Sequence, residues 1–366
     1  MTDRGQSEGR RPTIRDVADR AGVSKSLVSL VMRGEPFVRE EKRQRVLQAA
    51  DELGYRANVA ARALPAAWSA KVGVLVADLR NPLLVDVVER AGQVLNDAGF
   101  GMVMTAAVLS SRTTSEARLD VRAVTALKES RVKAILVVGS VPDRAALLES
   151  AGSVPLVIAA ASAEGLHADV VRNNDHLGMR LVVDYLVAGG HTSIAHLGGL
   201  GGGVATERAA GYRAAMKYHG LEEVAVVAEA DFTEDAGYRG TAQLLRGRHP
   251  VTAIASVNDL AAVGALSAAA DKGLKVPEDL AVTGYDDTFV AAIRQVSLTS
   301  VNPDSPGIGA LAARCLIQRI AGDDQPPQQH LLAPRLVTRS SSAGRRPPAA
   351  TAVRLGPAVA AHDQNN

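Results

Sequence analysis

TIRDVADRAGVSKSLVSLVMRG, residues 13–34, is the most informative stretch of the chain. Thr13 can cap a first helix whose apolar residues recur at helical spacing. Gly22 then allows a turn, and Ser24 can cap a second amphipathic helix. Two short helices joined by a glycine-containing turn are typical of a helix-turn-helix, although a hairpin within an ordinary helical bundle fits the spacing about as well.

The second helix of this stretch offers side chains that could read DNA. Four residues are expected to point away from its apolar face, where base edges in a groove could be reached: Lys25, Ser26, Ser29 and Leu30. Residues 1–64 carry 13 Lys and Arg against 9 Asp and Glu, so this region has a charge of +4 and the remainder −2 within the total of +2. The excess is modest and fits a solvated helical surface as well as a nucleic-acid site.

Beyond residue 70 the pattern changes to short β-branched runs that alternate with amphipathic helices. Such alternation predicts parallel sheets covered by helices on both faces. The pattern is too long for one sheet, so we expect two similar α/β subdomains with a ligand cleft between them, at the carboxyl ends of the strands. The predicted segments are a disordered amino terminus (1–11), an all-α head (12–57), a hinge helix and linker (58–70), a sensing and dimerisation core (71–340) and a disordered tail (341–366).

Composition narrows the class of protein further. Cys315 is the only cysteine, which excludes an internal disulfide and a multi-cysteine zinc site. The polar amino terminus lacks the apolar run of a secretory signal and no apolar run approaches membrane length, so we expect a cytoplasmic protein. The glycine-rich stretch at 198–204 lacks the ending of a phosphate-binding loop, and we find no metal-ligand spacing or nucleophile motif. We therefore expect neither enzymatic activity nor a cofactor or metal.

The order of motifs resembles the LacI/GalR family of transcriptional regulators. The resemblance starts at residues 13–34, continues in DELGYRANVAARAL (51–64) and extends through the core in VADLRNPLL (76–84), ERAAGYRAAM (207–216), VNDLAAVGAL (257–266) and VPEDLAVTGYDDT (276–288). It implies a helix-turn-helix head joined to a core that is similar to periplasmic sugar-binding proteins. It also implies a homodimer on an inverted-repeat operator and a small-molecule effector, with repression as the default action.

In the head, the resemblance assigns base contacts to Lys25 and Ser26 and contacts to the DNA backbone to Thr13, Ser24, Ser29 and Asn58. Hydroxyl groups and helix amino termini donate to phosphate oxygens, in agreement with that division. Leu30 is a departure, because the family usually has Arg there. We therefore expect the nearby bases to be read differently or less strictly.

Residues 58–64 resemble the family's hinge helix, which forms when two copies meet on an operator. So short a helix is only marginally stable on its own in water. The resemblance makes Leu64 the side chain that wedges into the minor groove, whereas the residues alone favour simple packing against the core. Ala57 replaces a common proline, which predicts a looser start to the hinge.

In the core, matching positions nominate five polar residues for the effector pocket: Asp78, Asn81, Arg208, Asn258 and Asp286. Carboxylates and a guanidinium suit a sugar or another polar metabolite. Without the resemblance, a turn for Asp286, a helix cap for Asn258 and a surface ion pair for Arg208 are favoured over ligand binding. A ligand held from both subdomains is expected to set the angle between them and so to control DNA binding.

Two departures leave the effector class open. Leu83 and Leu84 stand where the family often has Phe, so a stacking ring would have to come from Phe232, Tyr285 or Phe289. The pair 174–175, Asn-Asp, replaces a frequent Asp-Asn, which predicts that the anionic acceptor is displaced by one residue. A transport-associated solute-binding protein and an α/β enzyme are the alternative classes. The helical head and the lack of a secretory signal argue against the first, and the lack of a phosphate loop or catalytic motif argues against the second.

Overall fold

The chain consists of two structural units that separate after Trp68. The structure, a computed structural model, describes residues 12–32, 38–53, 70–110, 117–162, 167–247 and 250–343. The predicted disordered amino terminus, Asn58, Leu64 and nearly all of the predicted tail lie outside these residues.

Elements are numbered in chain order within the described residues. The helices are α1 (Ile14–Ala21), α2 (Lys25–Met32), α3 (Glu40–Glu52), α4 (Pro82–Asp97), α5 (Val121–Glu129), α6 (Arg144–Ala151), α7 (Asp175–Ala188), α8 (Gly203–Tyr218), α9 (Glu234–Leu244), α10 (Asp259–Asp271), α11 (Phe289–Ala292) and α12 (Ser305–Ile320). The strands are β1 (Ala70–Val76), β2 (Phe100–Ala106), β3 (Val108–Ser110), β4 (Ala117–Leu119), β5 (Ile135–Val138), β6 (Leu156–Ala159), β7 (Asp169–Asn173), β8 (Ile194–Gly199), β9 (Val226–Ala230), β10 (Ala253–Ser256), β11 (Ala281–Tyr285), β12 (Thr299–Asn302), β13 (Gln329–Leu332) and β14 (Arg335–Val337).

The amino-terminal unit is a small head built from α1, α2 and α3. The backbone N and the hydroxyl of Thr13 both donate to the Asp16 carboxylate, at 2.6 and 2.7 Å, and so close the amino end of α1. Gly22 ends α1 with φ +64°, a left-handed conformation that favours glycine. Arg45 of α3 donates from Nη2 to the Ala21 carbonyl at 2.7 Å. The turn between the two helices is therefore held from α3.

The head has its own apolar core. Its buried residues come from all three helices and include Val17, Val28, Val31 and Val46. The predicted apolar faces of α1 and α2 are thus the faces that pack.

The second unit contains two lobes, each formed around a six-stranded sheet. The first lobe has the strand order β13-β7-β6-β5-β1-β2, and the second has β14-β12-β11-β10-β8-β9. Their pairs are parallel except β12 with β14, and β3 and β4 form a separate antiparallel pair. The predicted parallel α/β core of two subdomains is confirmed; the antiparallel strand at the sheet edge was not predicted.

Both faces of each sheet are covered by helices. In the first sheet Val74 faces α4 and α12 while its neighbour Leu75 faces α5 and α6. In the second sheet Ile254 faces α9 and α10 while Ala255 faces α7 and α8. Strands that are apolar on both sides give the continuous hydrophobic runs seen in the sequence.

The chain passes between the lobes after β7, after β12 and between β13 and β14. Carboxyl ends of strands from the two lobes face each other. A Cβ placed on Gly203, which follows β8, would lie 3.0 Å from the Ser162 Cβ, which follows β6. Polar residues at these strand ends therefore line a cleft between the lobes.

Candidate DNA-binding and effector sites

The amino-terminal end of α2 presents polar side chains to solvent. Lys25 and Ser26 are exposed, whereas Val28 and Val31 are buried in the head. The Ser24 hydroxyl accepts from the backbone N of Leu27 at 3.2 Å, so Ser24 is the cap that the sequence predicts. Lys25 and Ser26 are thus free of the head's core, as base contacts would require.

Other residues of the head that are predicted to contact DNA are less exposed to solvent. Ser29 and Leu30 are half-buried, and Leu30 packs against the apolar core of the head. The expectation that Leu30 points fully away from the apolar face is therefore wrong, because a leucine gains more from partial burial than from water contact. The Thr13 hydroxyl donates to Asp16, which leaves its oxygen able to accept a hydrogen bond.

Asp78 and Asn81 lie just beyond the carboxyl end of β1 in the first lobe. The Asp78 carboxylate, 43% exposed, holds Arg80 with a distance of 3.0 Å from Nε to Oδ1. The Asn81 side chain accepts from the backbone N of Leu83 at 3.0 Å and caps α4. Asp78 is accessible to a ligand, and Asn81 uses its oxygen in the cap while its amide group can still donate.

Arg208 forms the centre of the second lobe's side of the cleft. Its side chain is 2% exposed, and its Nε donates to Asp175 Oδ1 at 2.8 Å. Its Nη1 donates to the Val257 carbonyl at 2.5 Å and to Asp286 Oδ1 at 3.1 Å. The guanidinium carbon lies 3.6 Å from the centre of the Tyr285 ring. Arg208 is therefore a buried ion-pair centre, and the alternative of a surface ion pair is wrong.

Two carboxylates set the charge around Arg208. Burial alone would lower the pKa of Arg208, but Asp286 and Asp175 more than offset this effect and raise it. Burial raises the pKa of Asp286 to about 6, against the opposing effect of Arg208. The guanidinium thus has two anionic partners within the protein, and an anionic ligand would have to compete with them.

Asn258 and Asp286 follow β10 and β11. Asn258 caps α10 by accepting from the backbone N of Ala261 at 2.9 Å, and its Nδ2 donates to the Phe232 carbonyl at 3.0 Å. The alternative of a helix cap is therefore confirmed for Asn258. Asp286 has φ +102°, so it also occupies the turn that the sequence allowed. The structure brings Arg208 into contact with Asp286, whereas Asp78 and Asn81 belong to the opposite lobe.

In the pair 174–175 the second residue, Asp175, supplies the carboxylate. Asn174 caps α7 by accepting from the backbone N of Leu177 at 3.0 Å, and the buried carboxylate of Asp175 contacts Arg208. Of the aromatic candidates, Tyr285 is fully buried against Arg208 and Phe289 is 69% exposed.

Asn173, which was not predicted, and Asp259 also belong to this site. Asn173 donates from Nδ2 to the Tyr285 hydroxyl at 2.6 Å. Asp259 accepts from the backbone N and the hydroxyl of Thr288 at 2.7 and 2.8 Å, and from the Ser300 hydroxyl at 2.6 Å. Burial and the nearby Asp286 raise the pKa of Asp259 to about 7. Asp259 lies with Asn258 just beyond the carboxyl end of β10, which is where the sequence predicts a ligand cleft.

The six described ranges contain no group of three or more His, Cys, Asp or Glu residues that could hold a metal ion. No described helix is long and apolar enough to cross a membrane.

The comparisons with known proteins agree with this architecture. Residues 13–58 match the model described as "Bacterial regulatory proteins, lacI family", and residues 183–342 match "Periplasmic binding protein-like domain". The transcriptional repressor PurR of Serratia proteamaculans is 31% identical over 342 residues, covering 90% of this chain and 97% of the relative. The fold and these relatives define a DNA-binding transcriptional regulator with an effector-binding core.

Solved structures give the same result. A lac repressor dimer bound to operator and an anti-inducer is 28% identical with a TM-score of 0.67, covering 91% of this chain and 99% of that one. The regulator CelR in complex with cellobiose is 29% identical with a TM-score of 0.64, covering 91% and 100%. The chain belongs to the LacI family of bacterial regulatory proteins.

Proposed function

We propose that this protein is a cytoplasmic repressor that binds an inverted-repeat operator as a homodimer and responds to a small polar effector in the cleft. The observation that carries this proposal is that one chain contains two features. They are an exposed Lys25-Ser26 pair on a capped second helix and a two-lobed core with a polar cleft. One head offers few base contacts, and two-fold symmetry doubles them on a palindromic site. The relatives carry repressor names, which supports a binding role rather than a catalytic one.

In the head, we propose that Lys25 and Ser26 read base edges and that Thr13, Ser24 and Ser29 contact the DNA backbone. Asn58 would join the backbone contacts and Leu64 would enter the minor groove, as the family resemblance implies. Leu30, half-buried in the head, would contribute at most an apolar contact at the edge of the groove.

In the core, we propose that Asp78 and Asn81 from one lobe and Arg208, Asn258 and Asp286 from the other surround the effector. Because Arg208 already holds two carboxylates, the site favours a neutral ligand with hydroxyl or amide groups over an anion. Cellobiose in the related CelR complex is a ligand of that chemistry. Through the hinge, the orientation of the two lobes would control binding to the inverted-repeat operator.

The test of this proposal is selection of binding sites from random duplex DNA by the intact protein. We expect an inverted repeat to be enriched. Lys25→Ala should change the bases preferred in each half-site, whereas Ser24→Ala should weaken all sites by a similar factor, because phosphate contacts carry no sequence information. An unchanged motif for Lys25→Ala would remove Lys25 from base readout, and no enriched sequence for the unaltered protein would refute the function.

A further inference from the structure

A hydrogen bond between two buried side chains joins the two lobes beside Arg208. Asn173 is the last residue of β7 in the first sheet, and Tyr285 is the last residue of β11 in the second sheet. Asn173 is 5% exposed and Tyr285 is 0% exposed, and the amide donates to the phenol oxygen at 2.6 Å. A short hydrogen bond shielded from water resists separation of the two strand ends.

The same strand reaches a second partner. Asn173 also donates to Asp175 Oδ1 at 3.2 Å, and this oxygen accepts from Arg208 Nε. The preceding residue, Arg172, lies 3.5 Å from Asp175 Oδ2 and 3.7 Å from a Glu207 carboxylate oxygen of α8. Asp175, the first residue of α7, is therefore contacted by two residues of β7 in the first lobe and by Arg208 of α8 in the second.

Tyr285 has almost no freedom to move within this arrangement. A Cβ placed on Gly178 of α7 would lie 2.1 Å from its hydroxyl oxygen, so the phenol fits only because residue 178 lacks a side chain. Its ring stacks on the Arg208 guanidinium. A ligand that shifts Arg208 would therefore also displace Tyr285 and, through the hydrogen bond, Asn173.

We propose that Asn173 and Tyr285 are positioning residues that couple the effector site at Arg208 to the orientation of the first lobe. This inference rests on the proposed function, because the orientation of the lobes matters only if it controls operator binding. Neither residue needs to touch DNA or effector. Breaking their hydrogen bond loosens the lobes and thereby changes operator affinity even without effector.

The test compares Tyr285→Phe with Tyr212→Phe as a matched control. Both phenols belong to fully buried tyrosines, but Tyr212 donates to the Ile194 carbonyl at 2.8 Å and so makes its bond within the second lobe. The probe is the duplex selected by the unaltered protein, and its Kd is measured by fluorescence anisotropy at fixed salt without effector. Tyr285→Phe should change that Kd by about fivefold or more. Tyr212→Phe should lower Tm but leave the Kd unchanged.

A second measurement follows the lobes directly. Spin labels on cysteines at positions 79 and 200, both exposed leucines beyond the ends of β1 and β8, report the distance between the lobes in a Cys315→Ala background. Tyr285→Phe should broaden the distance distribution and Tyr212→Phe should not. Asn173→Ala and Tyr285→Phe combined should change each readout by less than the sum of the two single effects, because the two substitutions share the bond between these residues.

The outcomes separate the two proposals. If Tyr285→Phe matches Tyr212→Phe in Kd, or if Asn173→Ala and Tyr285→Phe act additively, the coupling role is overturned. A broadened distance distribution with an unchanged Kd also overturns it, since the lobes would then move without consequence for DNA. Failure of the unaltered protein to enrich any DNA refutes the proposed function alone, and the spin labels still show whether the bond holds the lobes.

Discussion

Replacing Arg208 by Ala is the most informative single perturbation of the core. It removes hydrogen bonds to two carboxylates and a carbonyl, and it leaves Asp175 and Asp286 buried without their cation. Breaking a buried pair by removing one partner typically costs about 3–5 kcal/mol. At roughly 2–4 °C per kcal/mol for a unit of this size, Tm should fall by about 6–20 °C.

The same variant should show a characteristic dependence on pH. The pKa of Asp286 in the folded protein, about 6, is above its ordinary value, so the folded state takes up a proton more readily than the unfolded chain. Stability from this group is therefore present at low pH and is lost as pH rises towards 6. Without Arg208 the folded pKa rises further, so the loss extends to higher pH. Arg208→Ala should consequently be more destabilised relative to the unaltered protein at pH 8 than at pH 5.5.

Calorimetric unfolding at both pH values measures these differences. Arg180→Ala is the control, because Arg180 also donates to a carboxylate, that of Asp184, but both side chains of this pair are 39% exposed. Exposed pairs contribute about 0–1 kcal/mol, so this variant should lose little stability. Equal losses for the two arginines, or a loss in Arg208→Ala that is larger at pH 5.5 than at pH 8, would refute the buried ion-pair account.

Two further predictions concern close packing in the core and the head. Gly178→Ala should destabilise the core by roughly 1–3 kcal/mol because its methyl group would overlap the Tyr285 hydroxyl, whereas Gly92→Ala, which meets only a flexible methionine at 3.3 Å, should be neutral or stabilising in thermal unfolding. Arg45→Ala should lower the helix content of the head near its melting temperature by circular dichroism, because the Ala21 carbonyl loses its 2.7 Å donor; an unchanged melting curve would show that α3 does not hold the turn.

Local patterns predicted the elements of the fold because each element depends on residues close in sequence. Thr13, Gly22 and Ser24 act at the helix ends where they were placed, and the apolar runs became the central strands. The antiparallel β14 has only three residues, and its pairing depends on β12, more than thirty positions earlier. Such pairing leaves no periodic signal in so short a stretch.

The sequence predicted several residues of the candidate site but not the contacts between them. Arg208 and Asp286 could be nominated from motifs, but their burial depends on partners 33 and 78 positions apart along the chain. Asn173 gave no signal, because an asparagine at the end of a strand is also an ordinary turn residue. Leu30 is more buried than predicted, because helical periodicity alone does not resolve half-buried positions at the border of an apolar face.

We propose that two copies of this 38.1 kDa chain act together on one DNA site. Sedimentation velocity of the intact protein with a fluorescent duplex carrying the selected inverted repeat measures this directly. We predict a single DNA-bound species with the mass of two chains per duplex, and its loss when one half-site is scrambled, because each head binds one half-site. Tight binding of a single chain to an isolated half-site, or protein that never sediments with the duplex, would contradict the account.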